Sequence, residues 1–507
     1  MRKSAVEKRL NKFVALEKKL ENLNTVCRIL NFDMETKCAT EALEEQAASM
    51  TEVSNEINKI LKSKEYTKLI KQLFKNKDKI DNIYLKKSIE DKYIELCKIE
   101  NVSLDKLEKI SDTYSKAFGH WQNAKLSNNF KLFRADLENI RSITKDLSQA
   151  WKKNKPKYNS LYDEVVQEYE EGISSDKIGQ LLGNTVEEIL EILEKIKNSK
   201  KKIKTDFLHK KVTKDQQEKI AKLVLSIIGF DFTKGSLSES EHPFTDHISR
   251  NDARVTTHYY ENNFISSLYS CLHEGGHALF MQNCNQNALD NYYDNKSLSQ
   301  HESVSRFYEN VLGKSKEFIS FLYPKLKKIV PNVLEGVSSQ ELYEAINAVE
   351  PSLIRTEADE LTYTLHIYIR FEIEKMLLND NVKINELPKI WNSLYKKYLG
   401  IEPKHDSEGI LQDVHWSSGF GYFPTYALGN FCNAMYYNEM CKSIDVKSEL
   451  KKGKFDKINK WMKNHVYSSA DLFDLDTWIF MMTNRELTSA DFVQYLKNKY
   501  YKIYGIK

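Results

Sequence analysis

The scarcity of glycine and proline is the feature that most restricts what this chain can fold into. Only 17 glycines and 8 prolines occur in 507 residues. Both residues interrupt helices, glycine at a cost of about 1 kcal/mol and proline at about 3 kcal/mol. A chain this long with so few of them is expected to form many helices and few tight turns. The sequence therefore predicts a mainly α-helical fold.

Apolar residues recur with helical spacing in two long segments. In residues 184–204 they occupy one helix face, and Thr185 is predicted to cap the helix, with Glu188 three residues later. Residues 357–378 contain no glycine or proline and mix apolar with charged positions. That segment is predicted to form one long helix that is partly buried on several sides.

Two segments depart from the helical pattern. Residues 229–263 are polar and contain glycine, serine and threonine. Val255 and two threonines there favour extended structure, so a small β element is expected near residues 252–260, around Arg254–Tyr260. Residues 400–430 form the segment richest in glycine and aromatic side chains, with a composition unlike that of the segments on either side.

Charge and cysteine content argue against several classes of protein. The net charge is +4, from 76 basic and 72 acidic residues, so there is no electrostatic argument for binding nucleic acid. No signal-peptide core and no apolar run long enough to span a bilayer occurs, so a cytoplasmic protein without membrane contact is expected. The 7 cysteines are scattered, odd in number and without a CxxC pair, which indicates reduced thiols.

The motif HEGGH at residues 273–277 carries the strongest chemical signal. Residues four apart lie on one face of a helix, so His273 and His277 can point their imidazoles at a single metal ion. Glu274 is rotated to the side, where its carboxylate can reach a water on the ion without ligating the ion itself. A catalytic zinc with tetrahedral geometry needs a third protein ligand and leaves its fourth position to water.

Glu302 is the predicted third ligand. It lies 25 residues after His277, and the intervening loop is long enough to let a second helix return to the ion. His301 and Ser303 flank it and are candidates to hydrogen-bond around the site. Two other acidic residues remain as alternatives, Glu309 and Glu261. Two histidines and one glutamate bind zinc, cobalt or manganese, and one such ion per chain is expected, zinc before the others.

Several further motifs occur in one order along the chain. They are HPF (242–244), DARVTT (252–257), HESVSRFYEN (301–310), IRTEADELTY (354–363), GILQDVHW (409–416) and GYFPTYALGN (421–430). Together with HEGGH, these motifs resemble those of the carboxypeptidase Taq family of metallocarboxypeptidases, which is related in fold to angiotensin-converting enzyme and neurolysin. The resemblance covers nearly the whole chain. Departures occur in residues 31–43, which lack the family's usual Trp-Asp and proline, and at TNRE (483–486).

The resemblance implies a large zincin-type helical fold with a deep central groove, formed by residues 1–507 as a single catalytic domain. An N-terminal helical part and a C-terminal metal-binding part would flank the groove. The resemblance also implies a homodimer, a bound divalent metal and the removal of single amino acids from the C-termini of peptides. The expected partner is therefore a peptide with a free terminal carboxylate.

Amide hydrolysis by a metal-activated water assigns roles to four residues. Glu274 would act as the general base. The tetrahedral intermediate needs hydrogen-bond donors aimed at its oxyanion, and His415, Tyr422 and Tyr426 are the candidates. Each of these three could instead be an ordinary packed side chain, since the sequence holds 28 tyrosines and 12 histidines. The resemblance favours the functional interpretation, because it places this segment against the metal.

Three residues are predicted to bind the substrate. A guanidinium fork matches a terminal carboxylate, and Arg355 and Arg254 lie in motifs that the resemblance places at the closed end of the groove. The alternative for both is a structural ion pair with a nearby acid. His242 of the HPF motif is a further candidate on the substrate side, with a turn histidine before Pro243 as its alternative.

Two more expectations concern the support of the metal site. Asp359, Glu360 and His366 are candidates to orient the metal ligands from behind. Gly275 and Gly276 lower the helix propensity, and we expect their missing side chains to let another segment pack close to the helix.

Two other functions fit parts of the sequence. An endo-oligopeptidase or a dipeptidyl carboxypeptidase would use the same metal chemistry and release larger products. A helical interaction protein with an inactive metal site is disfavoured, because Glu274 and all three proposed ligands are present.

Overall fold

A computed structural model describes residues 3–100, 104–154, 160–292, 297–380, 382–469 and 472–507. The fold is mainly α-helical, as predicted. The helices before the sheet are α1 (Lys3–Thr36), α2 (Leu43–Leu61), α3 (Lys64–Phe74), α4 (Ile83–Glu100), α5 (Leu104–Leu126), α6 (Arg134–Asn154), α7 (Leu161–Val166), α8 (Ser175–Lys197) and α9 (Lys214–Ile228). Those after it are α10 (Phe264–Asn283), α11 (Gln286–Asp290), α12 (Leu298–Arg306), α13 (Lys316–Ile329), α14 (Ser339–Ile346), α15 (Tyr363–Asn379), α16 (Leu387–Leu399), α17 (Pro424–Met440), α18 (Val446–Lys451), α19 (Asp456–Met462), α20 (Leu475–Thr483) and α21 (Ala490–Tyr504). None of the helices in these residues combines the length and apolar character needed to cross a membrane.

A three-stranded sheet precedes α10. It consists of β1 (Leu237–Glu239), β2 (Thr245–Ser249) and β3 (Asp252–Thr257). β3 lies in the centre, parallel to β1 and antiparallel to β2. β3 confirms the predicted β element, although the strand ends at Thr257 and not at Tyr260. The sequence does not reveal β1 and β2, because both are short and polar and neither alternates clearly between buried and exposed residues.

The predicted N-cap at Thr185 is wrong. Thr185 lies inside α8, and its hydroxyl donates to the carbonyl of Leu181 at 2.8 Å. The cap is Ser174, whose side chain accepts a hydrogen bond from the backbone N–H of Lys177. The apolar face of α8 extends upstream to the buried Ile178, so burial of that face continues the helix past the local capping pattern.

Residues 357–378 do not form one uninterrupted helix. α15 begins only at Tyr363. The Asp359 carboxylate accepts hydrogen bonds from the backbone N–H groups of Leu361 and Thr362, which holds a turn in front of the helix. Aspartate competes in this way with helical backbone bonds, so the absence of glycine and proline did not guarantee a continuous helix.

Buried apolar side chains form two clusters, and a large cavity is lined from both sides. The smaller cluster joins α1, α3 and α4, and the larger one extends from α5 to α21. The cavity has a volume of about 1150 Å³. Side chains of α1, α2 and α4 line it on one side, and those of β2, α10, α12 and residues 422–426 line it on the other. The HEGGH motif therefore faces a space large enough for a peptide segment.

The two glycines of the HEGGH motif face neighbouring segments. A Cβ added to Gly276 would lie 2.7 Å from Cα of Ser305 in α12. A Cβ added to Gly275 would lie 2.7 Å from side-chain atoms of Ile228 and of Leu225 in α9. Real Cβ atoms do not approach other atoms so closely, so only glycine allows the backbone contact at residue 276, whereas the side chains of Ile228 and Leu225 would have to shift for a larger residue at 275. The expectation that another segment packs closely against this part of α10 is confirmed.

We expect Gly276→Ala to lower the free energy of unfolding by about 1–3 kcal/mol, the usual cost of overpacking, because the new methyl group meets backbone atoms. Gly183→Ala is the matched control, since Gly183 lies inside α8 with open space around an added Cβ. That variant should gain up to about 1 kcal/mol in helix propensity. Urea unfolding measures both. Equal stability of the two variants would contradict the close packing of α10 against α12.

Candidate metal centre

Helices α10 and α12 bring the three predicted ligands together. Nε2 of His273 and Nε2 of His277 each lie 3.6 Å from Oε2 of Glu302. The two imidazole centroids are 5.0 Å apart, which matches one turn of helix. Ligand atoms of the three residues all lie within 4.8 Å of one another. The site is thus built from two adjacent turns of one helix and a single side chain of a second helix.

These spacings fit a tetrahedral metal ion. Two ligand atoms about 2.1 Å from a zinc ion, at the tetrahedral angle, are about 3.4 Å apart. The separations of 3.6 Å therefore leave room for an ion without moving either helix. Two imidazoles and one carboxylate also suit the chemistry of zinc, cobalt and manganese. The donor set fits a divalent metal ion.

Glu309 hydrogen-bonds to His273 on the side away from the ion site. It does not take the place of Glu302 as the third ligand, which was the alternative role considered for it. Nδ1 of His273 donates to Oε2 of Glu309 at 2.8 Å, which leaves Nε2 of His273 for an ion. Burial acts to raise the pKa of Glu309, but Arg306, His273 and Lys314 together lower this pKa to about 2. Glu309 is therefore a carboxylate at neutral pH and fixes the tautomer of His273.

Arg306 and Ser305 orient Glu302. Nε of Arg306 donates to Oε1 at 2.8 Å, and the Ser305 hydroxyl donates to Oε2 at 3.2 Å. Burial acts to raise the pKa of Glu302, but His273 and Arg306 outweigh it and hold this pKa well below its usual range. Glu302 thus presents an ionised oxygen to the two histidines. Arg306 has no separate sequence signal, although the HESVSRFYEN motif contains it.

His301 hydrogen-bonds around the site as expected, whereas Ser303 and Glu261 have other contacts. Nδ1 of His301 lies 3.2 Å from Nδ1 of His277, one of the predicted ligands. The Ser303 hydroxyl donates to a carbonyl of its own helix. Glu261 pairs with Lys211 at 2.9 Å, with more than half of each side chain exposed, and does not reach the ion site.

The expectation that α15 and the turn before it orient the metal ligands is not supported by their contacts. Asp359 holds the turn before α15. Glu360 pairs with Lys499 at 2.5 Å, which joins this turn to α21. Nδ1 of His366 lies 3.1 Å from the Tyr395 hydroxyl. These contacts stabilise the helical packing around the site.

Glu274 lies beside the ligands on the cavity wall. It is buried except for 8% of its surface and lines the same cavity as His273, His277 and Glu302. The hydroxyl of Thr245 in β2 has two possible acceptors on Glu274, each 2.8 Å away: the carboxylate oxygen Oε2 and the backbone carbonyl oxygen. The other carboxylate oxygen, Oε1, has no hydrogen-bond partner among the described residues. Thr245 fixes the carboxylate and leaves one oxygen to take a proton.

Residues 415–426 place two phenols at the cavity and a histidine behind them. Tyr422 and Tyr426 line the cavity, and Nε2 of His415 lies 3.2 Å from the Tyr426 hydroxyl. Burial lowers the pKa of His415 to about 4 and raises the pKa of Tyr422 to about 12. Burial also raises the pKa of Tyr426 well above its usual value. At neutral pH the imidazole is uncharged and both phenols keep the protons they need as donors.

Arg355 belongs to a buried cluster with net positive charge. Its Nε donates to Asp413 at 2.9 Å, and its Nη1 donates to the Tyr363 hydroxyl at 3.1 Å. Arg370 donates to the other oxygen of Asp413 at 2.6 Å, so two guanidinium groups share one carboxylate. The guanidinium carbon of Arg355 lies 5.1 Å from the ring centroid of Tyr426. Among the described residues, Nη2 of Arg355 has no hydrogen-bond partner.

The other two predicted substrate residues, Arg254 and His242, have no contact with the ligand residues among the described part of the chain. Arg254 donates to both side-chain oxygens of Asp252: Nε to Oδ1 at 3.2 Å and to Oδ2 at 3.0 Å, and Nη2 to Oδ2 at 2.8 Å. This is the structural ion pair considered as the alternative to a substrate role. Its guanidinium carbon lies 5.0 Å from the ring centroid of Phe32. His242 is exposed. Among the described residues, the cavity wall includes none of Arg355, Arg254 and His242. Arg355 contacts Tyr426, and Tyr426 does line the cavity.

Comparison with known families and proteins gives one consistent result. The family profile described as "Carboxypeptidase Taq (M32) metallopeptidase" matches residues 12–500. "Carboxypeptidase 1" of Bacillus subtilis is 34% identical over 496 residues, which cover 97% of this chain and 98% of that protein. "Thermostable carboxypeptidase 1" of Pyrococcus furiosus is 30% identical over 479 residues, 93% of this chain and 94% of that protein.

The fold is also shared with a solved structure. The M32 carboxypeptidase of Deinococcus radiodurans superimposes with a TM-score of 0.92. The alignment has 25% sequence identity and covers 98% of this chain and 100% of that chain. The similarity therefore extends over both clusters of buried side chains and over the whole cavity.

We expect Glu309→Gln to weaken metal binding about 10–100-fold, the usual effect of removing a partner of a ligating histidine. Calorimetric titration of the chelator-stripped protein with ZnCl₂ measures the Kd. Glu191→Gln is the control, since Glu191 pairs with Lys195 on the surface. That variant should bind zinc like the unmodified protein. The same Kd in both variants would show that Glu309 does not support His273.

Proposed function

The chain belongs to the carboxypeptidase Taq (M32) family of metallopeptidases, and on this premise we propose that it releases single amino acids from the C-termini of peptides at the site of His273, His277 and Glu302. Carboxypeptidase activity that depends on a divalent metal follows from the family. The roles of individual residues and the size of the released product are the proposal. The observation that carries it is that Nε2 of each histidine lies 3.6 Å from the same Glu302 oxygen, with Glu274 on the same cavity wall.

Glu274 is the proposed general base. Held by His273, His277 and Glu302, a divalent ion would lower the pKa of a bound water to about 7 and polarise the scissile carbonyl. The carboxylate of Glu274 accepts the proton of the attacking water and later passes it to the leaving amine. Thr245 holds Oε2, so the free oxygen Oε1 is the atom to which we assign this transfer. The cavity wall positions the base before the substrate arrives, which lowers the entropic cost of the reaction.

Tyr426 and Tyr422 are the proposed donors to the oxyanion. Their hydroxyls remain protonated at neutral pH and line the cavity that contains the ligands. His415 does not line this cavity, and its Nε2 lies 3.2 Å from the Tyr426 hydroxyl. We therefore assign His415 the role of positioning Tyr426, which is narrower than the direct catalytic role predicted for it.

Arg355 is the proposed partner of the substrate carboxylate. The cluster of Arg355, Arg370 and Asp413 carries two positive charges and one negative charge, so a carboxylate would complete its pairing. Buried charges are stable only when they are paired. Arg254 is already satisfied by Asp252 through both side-chain oxygens. The structure offers no contact that supports a substrate role for His242, which stays a prediction.

The remaining features are carried by sequence alone. Zinc is the ion that we expect first, with cobalt and manganese as alternatives for the same donor set. The homodimer, the cytoplasmic location, the single catalytic domain over residues 1–507 and the absence of nucleic-acid and membrane partners stay predictions.

Glu274→Gln should keep zinc but lower kcat by about 10²–10⁴-fold, because a general base contributes this much. Mass spectrometry of a digested peptide follows both variants, with zinc content measured in parallel. The unmodified protein should produce a ladder that shortens one residue at a time, and a chelator should abolish it. Losses of two residues at a time or internal cuts would overturn the proposed product. Equal degradation by both variants would overturn the role of Glu274.

Arg355→Lys should raise KM about 10–100-fold, because lysine keeps the charge but cannot form a bidentate pair worth about 1.5–3 kcal/mol. Arg254→Lys should leave KM within about threefold, since surface ion pairs contribute little. Steady-state kinetics on one peptide, with its C-terminus free or amidated, compares them. A larger KM effect from Arg254→Lys would assign the carboxylate to Arg254.

A further inference from the structure

We propose that Glu374 is a positioning residue for catalysis, which holds the segment of His415, Tyr422 and Tyr426 in place without touching substrate or metal. This inference rests on the proposed function, because it presumes that this segment supplies the oxyanion donors. Glu374 lies in α15, within the long stretch for which the sequence suggested Asp359, Glu360 and His366, but not Glu374, as supporting residues.

The two carboxylate oxygens of Glu374 bind the segment at two points. Oε1 accepts a hydrogen bond from Nε1 of Trp416 at 2.9 Å, and Oε2 accepts one from the backbone N–H of Gly421 at 3.0 Å. Trp416 follows His415 directly, and Gly421 precedes Tyr422 directly. The Glu374 side chain therefore binds the segment at the residue after His415 and at the residue before Tyr422.

A third donor fixes the carboxylate itself. The hydroxyl of Tyr162 in α7 donates to Oε2 at 2.8 Å. Glu374 and Tyr162 are both fully buried. Burial raises the pKa of Glu374 to about 7, although the bonds from Tyr162, Trp416 and Gly421 act to lower it. Burying a carboxylate costs free energy unless hydrogen bonds satisfy it, and here three donors do so.

The gripped segment has little regular structure of its own. His415–Ser417 form a single short turn, and α17 starts only at Pro424. Gly419 has φ of +133° and open space around it, so the backbone between the two bonds has the freedom of glycine. The bonds to Glu374 are the side-chain contacts that tie both ends of this flexible stretch to a helix.

Gly421 also brings the segment against α7. Its φ is +95°, and an added Cβ would lie 2.8 Å from Cγ1 of Val165. The backbone can therefore reach Oε2 of Glu374 only because residue 421 is glycine. Val165 is three residues from Tyr162, so α7 contacts the segment and also holds the carboxylate that binds it.

A shift of the segment would misplace both donor groups together. Nε2 of His415 lies 3.2 Å from the Tyr426 hydroxyl, and the rings of His415 and Tyr422 have centroids 5.3 Å apart. Misplacing catalytic groups by about 1 Å can cost about 10²-fold in rate. The hydrogen bonds of Arg355 go to Asp413 and Tyr363 and not to the segment, although its guanidinium carbon lies 5.1 Å from the centroid of the Tyr426 ring. The effect of Glu374 should thus fall mainly on kcat, with a smaller effect on KM.

The test compares Glu374→Gln with Tyr495→Phe. Glutamine offers one oxygen, so it can accept from Trp416 or from Gly421 but not from both, and its amide N–H faces the other donor. Tyr495→Phe removes a hydrogen bond of the same kind, from a tyrosine hydroxyl to the buried carboxylate of Glu360 at 2.9 Å, and leaves every contact of Glu374 in place. We expect Glu374→Gln to lower kcat about 10–100-fold, with KM and zinc Kd within about threefold of their original values. Tyr495→Phe should keep kcat within about threefold at a similar loss of Tm.

Trp416→Phe is a second variant that removes a hydrogen bond between Glu374 and the segment, and it keeps the test decisive if Glu374→Gln does not fold. It deletes only the bond to Oε1, and kcat should again fall while KM stays within about threefold. Unchanged kcat in either Glu374→Gln or Trp416→Phe would overturn the inference. A fall in kcat with Tyr495→Phe as large as with Glu374→Gln or Trp416→Phe would also overturn the inference, because general destabilisation would then explain the loss.

Tyr426→Phe separates failure of the inference from failure of the proposed function. A lower kcat in Tyr426→Phe with unchanged kcat in Glu374→Gln and Trp416→Phe would overturn the role of Glu374 alone. Unchanged kcat in Tyr426→Phe would overturn the assignment of Tyr426 as oxyanion donor and with it the positioning role of Glu374. A fall in kcat in Tyr426→Phe, Glu374→Gln and Trp416→Phe, but not in Tyr495→Phe, supports both the proposed function and the inference.

Discussion

The contact between Gly276 and the backbone of Ser305 sets the geometry on which the whole site depends. A side chain at residue 276 would meet Cα of Ser305 at 2.7 Å, so α10 and α12 approach as closely as backbones allow. Gly429 of α17 makes the equivalent contact on another face of α12, where an added Cβ would lie 2.9 Å from the backbone N of Ser303. Two glycines thus hold the Glu302 helix between the histidine ligands and the helix that follows Tyr422.

Buried charge is arranged around this contact in two paired clusters. Near the metal ligands, Arg306 pairs with Glu302 and Glu309, and Glu309 accepts a hydrogen bond from Nδ1 of His273. At the second cluster, Arg355 and Arg370 share Asp413 and leave one positive charge over. The surplus charge of the second cluster is the basis of the proposal that it binds the terminal carboxylate of a peptide.

Sequence predicted those parts of the site that follow from local periodicity. His273 and His277 share a helix face by spacing alone, whereas the loop length and the flanking His301 and Ser303 favoured Glu302 but left Glu309 and Glu261 as alternatives. Thr245 could not be found in this way, because it contacts Glu274 across 29 residues from a strand with no clear pattern. Asp413 is 58 residues from Arg355, so the sequence pointed to nearer acids as partners. Long-range pairing of this kind depends on helix packing, which no local pattern encodes.

The same limit explains the errors in secondary structure. Thr185 followed by Glu188 has the local form of a capping box, but burial of the preceding apolar face extends α8 through it. The stretch before α15 contains no helix breaker, yet hydrogen bonds from the Asp359 carboxylate start a turn there. Local signals compete with tertiary packing, and packing decided the first of these two boundaries.

The central claim is that one divalent ion lies between His273, His277 and Glu302. Anomalous diffraction from crystals grown with zinc, recorded on both sides of the zinc absorption edge, locates such an ion directly. The account predicts one peak per chain, about 2.0–2.2 Å from Nε2 of each histidine and from a carboxylate oxygen of Glu302. A dominant peak elsewhere, or a zinc ion ligated by Glu309 in place of Glu302, would contradict it.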